Sequence, residues 1–271
     1  VVADIAVRKR VDTIIVCADD YAIAPGVSRA IRRLAAAGRI DATSCMSTTA
    51  FWPDEGRALR AAGMPIEVGL HLALTGSGGR SLGRLARDAF AGRLDRAAVE
   101  IEIARQIDAF ERVWGSSPDF IDGHQHVHQF PTVRAAVLAL WDRRLDRGRT
   151  WLRVSDAGMG AILRTGTAPF KGLAIAALGR AMKRSARRAG IRTNDSLAGV
   201  YDLSARRPYG ELFERMCDAA SGRTVVMCHP GDVDAALRDA DALVDVRAVE
   251  CAYFESDAYR DLRARYAGRA T

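Results

Sequence analysis

Lysine is nearly missing from this chain. Only Lys9, Lys171 and Lys183 stand among its 40 basic residues, so the formal charge of +7 is carried by arginines scattered among acids. A nucleic-acid-binding face gathers its basic residues on one element, and this scatter argues against nucleic acid as a partner. The one dense run, GRAMKRSARRAG at 179–190, falls on a predicted helix. It reads as a solvated face, with attraction to an anionic surface or a phosphate as the alternative. Cysteine is also scarce: Cys17, Cys45, Cys217, Cys228 and Cys251 form an odd set without CxxC spacing. That excludes a disulfide framework and suits small buried side chains in a reducing compartment. No apolar run approaches the roughly 18 residues that suggest a membrane span. The opening VVADIAVRKRVDTIIVC has charge on both sides of a short apolar stretch, unlike a signal peptide, so the cytoplasm is the expected compartment.

What is present is enough apolar material for a large core, since 49% of the 271 residues are hydrophobic. TIIVCADD is an apolar, β-branched run ending in two aspartates, and APGVSRAIRRLAAAGRI follows it with helical spacing. DATSCMST, IEVGLHLAL, PDFIDGHQH, WLRVSD and GRTVVMCHPG read as further strands. DRAAVEIEIARQIDAFERVWG, PTVRAAVLALWDRRLDRG, VDVRAVECAYFES and SDAYRDLRARY read as helices. The glycine-rich stretch that opens residues 76–100 lacks GxGxxG spacing and is expected to be an active-site flap or a plain surface loop. Repeated strand, loop and helix units predict one α/β domain over 11–271, barrel-like or layered, behind a lead segment at 1–10. Ligands of such folds bind at the carboxyl ends of the parallel strands.

The five histidines concentrate there. His71 lies in GLHLAL, His124, His126 and His128 in DGHQHVHQF, and His229 ends the apolar run TVVMC. A lone histidine in such a place is usually a satisfied core residue. Five at strand ends, beside Asp19, Asp20 and Asp122, point instead to a catalytic divalent ion held by imidazole and carboxylate. Three alternating histidines do not imply three ligands, because His126 either shares the direction of His124 or turns into the core. The adjacent aspartates diverge in an extended strand. One can then bind the ion while the other approaches a water or orients a histidine, the local alternative being a helix cap. His229, far along the chain from the central motif, is the natural proton donor to a leaving group. Cys228 points away from it and is no nucleophile.

Four ordered stretches, IIVCADDYAIAPGVSRAI, GLHLAL, DGHQHVHQFP and VVMCHPG, resemble the YdjC-type carbohydrate deacetylase family over roughly residues 11 to 262. The resemblance implies a distorted (β/α) barrel related to the polysaccharide deacetylases, with one divalent ion, Mg2+ or Zn2+, at its rim. It implies Asp20, His71 and His124 as metal ligands, Asp19 as catalytic base and His229 as general acid. His128 matches the HxxxH spacing of the wider polysaccharide deacetylases and is the rival ligand, with His126 and Asp122 as further metal or supporting candidates. Where the family has phenylalanine and glycine after the aspartates, this chain has Tyr21 and Ala22, and Gln125 replaces a common histidine. Both departures bear on the loop and the substrate opening.

The implied activity is removal of an N-acetyl group from an amino sugar or oligosaccharide by metal-activated water, releasing acetate and a free amine. Arg153, Asp156, Asn194 and Asp195 are candidates for binding sugar hydroxyls or orienting catalytic groups, against ordinary ion pairs and turns. Trp52 and Trp151 could stack on sugar rings or simply pack. The competing readings are hydrolysis of another amide or ester, and a non-catalytic carbohydrate-binding or regulatory protein that retains a metal site. A homodimer is compatible with the chain, though no heptad or edge segment marks one.

Overall fold

In the computed structural model, residues 13–75, 80–165 and 168–267 are described. The lead segment at 1–10 and the glycine-rich residues 76–79 of the expected flap lie outside them. The first half runs β1 (Thr13–Tyr21), α1 (Pro25–Ala36), β2 (Ala42–Cys45), α2 (Trp52–Ala62), β3 (Glu67–Leu72), α3 (Leu82–Phe90), α4 (Arg96–Trp114) and β4 (Phe120–Gly123). A 3-10 turn (His124–Gln129) leads into α5 (Pro131–Arg144), β5 (Trp151–Leu152), α6 (Met159–Thr165) and α7 (Pro169–Arg188). The chain then forms β6 (Ser196–Ala198), α8 (Tyr209–Asp218), β7 (Arg223–Cys228), α9 (Ala235–Ala240), α10 (Val244–Glu255) and α11 (Asp257–Ala267).

Every strand pairing is parallel, in the order β5-β4-β3-β2-β1-β7-β6. The sheet curls until its two edges meet. Thr193, just ahead of β6, forms a parallel bridge with Leu152 of β5, and the Leu152 N–H donates to the Arg192 carbonyl at 2.9 Å. This is an α/β fold with a curled parallel sheet, a barrel closed by a single bridge. Helices start and stop where local chemistry directs. Pro25 occupies the first turn of α1; Asp95 caps α4 by accepting from the Ala97 N–H at 2.9 Å, and Gly115 ends that helix in the left-handed conformation.

Period-two alternation sorts the strand residues into two layers. Val16, Ala18, Val68, Leu70, Ile121, Val226 and Cys228 pack outward under the helices. Ile15, Cys17, Ala42, Phe120, Trp151, Leu197, Val225 and Met227 form a separate cluster inside the curl. The same alternation, continued one step toward the carboxyl ends, places Asp19, Ser44, His71, Asp122, Arg153 and His229 on the inner face. An apolar plug thus fills the barrel and a polar layer closes its end.

The plug is tight at Gly69. A Cβ there would fall 2.4 Å from the Phe120 ring, which itself stacks on Trp151 with centroids 4.9 Å apart. Replacing Gly69 with valine should therefore destabilise the protein by about 1–3 kcal/mol or more through overpacking. Gly63→Ala, at φ 58 with nothing near its Cβ position, should cost only about 1 kcal/mol of backbone strain. Urea denaturation of both variants checks the ranking, and equal losses would contradict it.

Candidate metal centre

The two aspartates of β1 do not diverge as a regular strand requires. Ala18 pairs with Thr43 and Tyr21 with Cys45, so Asp19 and Asp20 together face the single residue Ser44. This bulge, with Asp20 in the left-handed region at φ 65, turns both carboxylates toward one rim. Asp20 Oδ1 lies 3.3 Å from His71 Nε2 and 3.0 Å from His124 Nδ1. The expectation of opposed side chains is corrected by the extra residue. Ala22, where the family pattern has glycine, also sits at φ 69, so the loop keeps a glycine-type backbone with an alanine in it. Ser28 Oγ accepts from the Ala22 N–H at 3.1 Å, and Thr49 Oγ1 donates to the Ala22 carbonyl at 2.6 Å, which hold it there.

The central histidines separate for a similar reason. Gln125 and His126 are both left-handed, at φ 54 and 60, so the alternation expected of an extended segment is lost. His124 faces Asp20, the His126 Nδ1 lies 3.0 Å from Ser155 Oγ, and His128 Nε2 donates to the Arg153 carbonyl at 2.9 Å. Burial pushes His126 well below the usual histidine range and brings His128 down to about 4, so both are neutral near pH 7. Their bonded nitrogens serve Ser155 and the Arg153 backbone.

Among the described residues, two groups of three potential ligands have their atoms within 4.8 Å of one another: Asp20, His71 and His124, and Asp19, His71 and Asp122. The second already contains a cation. Arg153 Nη1 and Nη2 donate to the two oxygens of Asp19 at 2.6 Å each, and Nη2 lies 2.8 Å from Asp122 Oδ2. At the first group a buried guanidinium, that of Arg247 on α10, sits behind the carboxylate, donating to Asp20 Oδ2 at 2.6 Å. Asp20 Oδ1 is left facing the two imidazoles. One carboxylate oxygen and two imidazole nitrogens suit a divalent ion of the zinc type, with positions left for water or substrate.

His71 is oriented for that role. Its Nδ1 donates to Asp122 Oδ1 at 2.6 Å, and Ser44 Oγ donates to the same oxygen at 2.5 Å, which turns Nε2 toward Asp20. Burial opposes a charge on His71, but Asp122 overcomes it and raises the imidazole to about 10. Burial would likewise raise Asp20 and Asp122. Arg247 and His124 hold Asp20 well below the ordinary carboxylate range, and Arg153 and His71 do the same for Asp122. These directions describe a site that retains negative carboxylates and attracts positive charge.

His229 reaches the same level from the next strand. Ala18 pairs with Cys228, so His229 follows beside Asp19, and its N–H donates to Glu250 Oε2 at 2.5 Å. Sequence reasoning missed three supporting residues: Ser44, Arg247 and Glu250. The signal for the last two was available, because they fall on the buried stripe of α10 with Val246, Cys251 and Phe254, where charges are unexpected.

The four residues expected to bind sugar hydroxyls or to orient catalytic groups all have partners within the protein. Arg153 is buried against Asp19 and Asp122 and orients them. The buried Asn194 side chain bonds to main-chain groups of Val154 and Ser196. Asp195 accepts from the Arg223 N–H at the start of β7, the opposite end of that strand from His229. Asp156 faces Lys183 and Arg180 of α7, at 3.5 and 3.9 Å. Trp52 stacks on Phe110, and Trp151 lies in the plug. GRSLG at 79–83 has the spacing of a nucleophile elbow, but Ser81 is exposed and caps α3, accepting from the Arg84 N–H at 3.4 Å.

A family model described as YdjC-like protein matches residues 13–265. The chain belongs to the YdjC-like family. A human protein named carbohydrate deacetylase is 27% identical over 258 residues, covering 80% of this chain and 74% of its own. A chitooligosaccharide deacetylase of Escherichia fergusonii is 26% identical over 134 residues, covering 44% of this chain and 52% of its own. Among solved structures, a suggested cellobiose-phosphate cleavage protein from Enterococcus faecalis shares the fold, with a TM-score of 0.68 at 19% identity and coverage of 93% of this chain and 94% of the other. A YdjC-like chain with a buried aspartate and histidine cluster capable of holding a divalent ion is thus distantly related to carbohydrate deacetylases. No described helix is long and apolar enough to cross a membrane.

Arg153 neutralises two buried carboxylates, so its truncation to methionine should cost about 3–5 kcal/mol in urea denaturation. A loss under about 1 kcal/mol would contradict the ion pairing described, because that is the worth of an exposed pair.

Proposed function

We propose that this protein is a metal-dependent hydrolase that removes the N-acetyl group from an amino sugar or a small oligosaccharide, releasing acetate and a free amine. The observation that carries the reading is the convergence of Asp20, His71 and His124 beside an independently held Asp19. The human relative's name supports a carbohydrate as the acyl bearer. Asp20, His71 and His124 would hold one divalent cation, Mg2+ or Zn2+, and the two imidazoles weight the donor set toward zinc. Such an ion polarises an acyl carbonyl and lowers the pKa of water.

The chain's own groups divide the proton work. Asp19 is the base: Arg153 fixes its plane through both oxygens, and because Oδ1 also accepts from the Cys17 thiol at 3.5 Å, Oδ2 is the oxygen that keeps a lone pair for a water proton. His229 is the acid, standing on the neighbouring strand where a departing amine can take its proton. Glu250 anchors its backbone. Asp122 and Ser44 keep His71 turned toward Asp20, and water attack requires no covalent enzyme intermediate.

Acetate release from a panel of N-acetylated sugars tests the reaction. Chelation should abolish it, and added Zn2+ or Mg2+ should restore it. Asp19→Asn and His229→Ala should each lower kcat by about 100- to 10,000-fold, the usual range for a lost acid or base. Sugar binding without acetate release in any metal would overturn the reading in favour of a non-catalytic carbohydrate-binding protein; release of a different acyl group would favour another amide or ester.

A further inference from the structure

Arg247 is costly where it stands. The side chain is fully buried on α10, its Nη2 donates to Asp20 Oδ2 at 2.6 Å, and its Nε donates to Asp241 Oδ2 at 3.0 Å. Its Nη1 is buried without a hydrogen-bond partner among the described residues. A guanidinium buried with one arm unpaired is less stabilising than a well-packed apolar side chain of similar volume. Its neighbours on the stripe, Val246, Cys251 and Phe254, show that apolar residues are accommodated on this face.

The arrangement gives Arg247 an effect on Asp20 that packing alone does not supply. A free carboxylate can offer both oxygens to a cation. Here Oδ2 is held from behind, while Oδ1 faces His71 Nε2 at 3.3 Å and His124 Nδ1 at 3.0 Å. Cations differ in how they respond. Calcium takes six to eight oxygens and often draws both from one carboxylate, whereas zinc and cobalt accept one oxygen beside imidazole nitrogens.

We propose that Arg247 is a specificity-determining positioning residue: by holding Asp20 Oδ2 it makes Asp20 a one-oxygen ligand and sets the site against calcium-like cations in favour of small, imidazole-binding ones. This rests on the metal-site reading above. Asp241 is part of the same device, because it accepts from Nε and from the same Nη2 that donates to Asp20, and also accepts the Leu243 N–H at 3.1 Å. Removing the arginine also removes a positive charge, which strengthens binding of every divalent ion. The ratio of affinities between ions therefore isolates the effect of the held oxygen.

The test is metal binding to chelator-treated full-length protein, read by calorimetric titration with Zn2+, Co2+ and Ca2+, together with the visible absorption of bound Co2+. Wild-type protein should prefer Zn2+ to Ca2+ and give an intense, low-coordinate Co2+ spectrum. In R247M the Zn2+/Ca2+ affinity ratio should fall about tenfold or more, with a weaker Co2+ band as Asp20 gains a second contact. R247K, which keeps the charge without the planar fork, should fall between the two. A folded R247M whose ratio and Co2+ spectrum match wild type would overturn the proposal. Should R247M lack the native circular dichroism, D241N carries the test by loosening the arginine without removing it: a lowered ratio supports the clamp and an unchanged one overturns it. Wild-type protein that binds none of these ions would sink the metal reading itself, whereas ion binding at an unchanged ratio sinks only the role of Arg247.

Discussion

Asp19, Asp20 and Asp122 reach the carboxyl end of one narrow barrel, where little water screens them. Two like charges 4 Å apart repel by roughly 4 kcal/mol at an effective dielectric constant of 20. Arg153 resolves most of this by bonding both oxygens of Asp19 and lying against Asp122, and Arg247 does the same for Asp20 from outside the curl. With the arginines in place, Asp20 and Asp122 stay ionised and all three carboxylates are fixed in direction. Asp122 can then orient His71, and Asp20 can present one oxygen to two imidazoles. Everything proposed for catalysis depends on that charge balance.

Backbone strain gathers at the same end. Four of the five non-glycine residues with positive φ among those described, Asp20, Ala22, Gln125 and His126, lie in the two segments that deliver ligands. Each costs about 1–3 kcal/mol and persists because the surrounding packing determines it. The gain is geometric. A bulge lets neighbouring aspartates serve one rim, and a left-handed pair sends three alternating histidines to three different partners. The apolar plug beneath, from Ile15 to Met227, supplies the rigidity that holds these conformations.

The parallel α/β character was legible because its strands are apolar runs ending in polar residues, and the helices of α1, α4 and α5 carry clear caps, proline starts or periodicity. β6 escaped notice because three residues make no pattern. The candidate centre was legible at the level of residue type: five histidines and three aspartates at strand ends stood out of the composition. Their directions were not, since no spacing rule reveals a bulge at Asp19 and Asp20 or a left-handed turn at Gln125 and His126. For Arg153 the sequence leaves sugar binding, the orienting of catalytic groups and an ion pair open, because it does not say that two buried carboxylates await the guanidinium. Arg247 and Glu250 went unseen although they interrupt an apolar stripe, the one local sign that α10 serves the site.

Asp20, His71 and His124 are proposed to hold a metal ion beside carboxylates that arginines neutralise. Crystals of the protein grown with Zn2+, with data collected at the zinc absorption edge, test it most directly. One strong anomalous peak is expected within bonding distance of Asp20 Oδ1, His71 Nε2 and a His124 ring nitrogen, with Arg153 still paired to Asp19. A peak between Asp19 and Asp122, or none near Asp20 at saturating zinc, would contradict it.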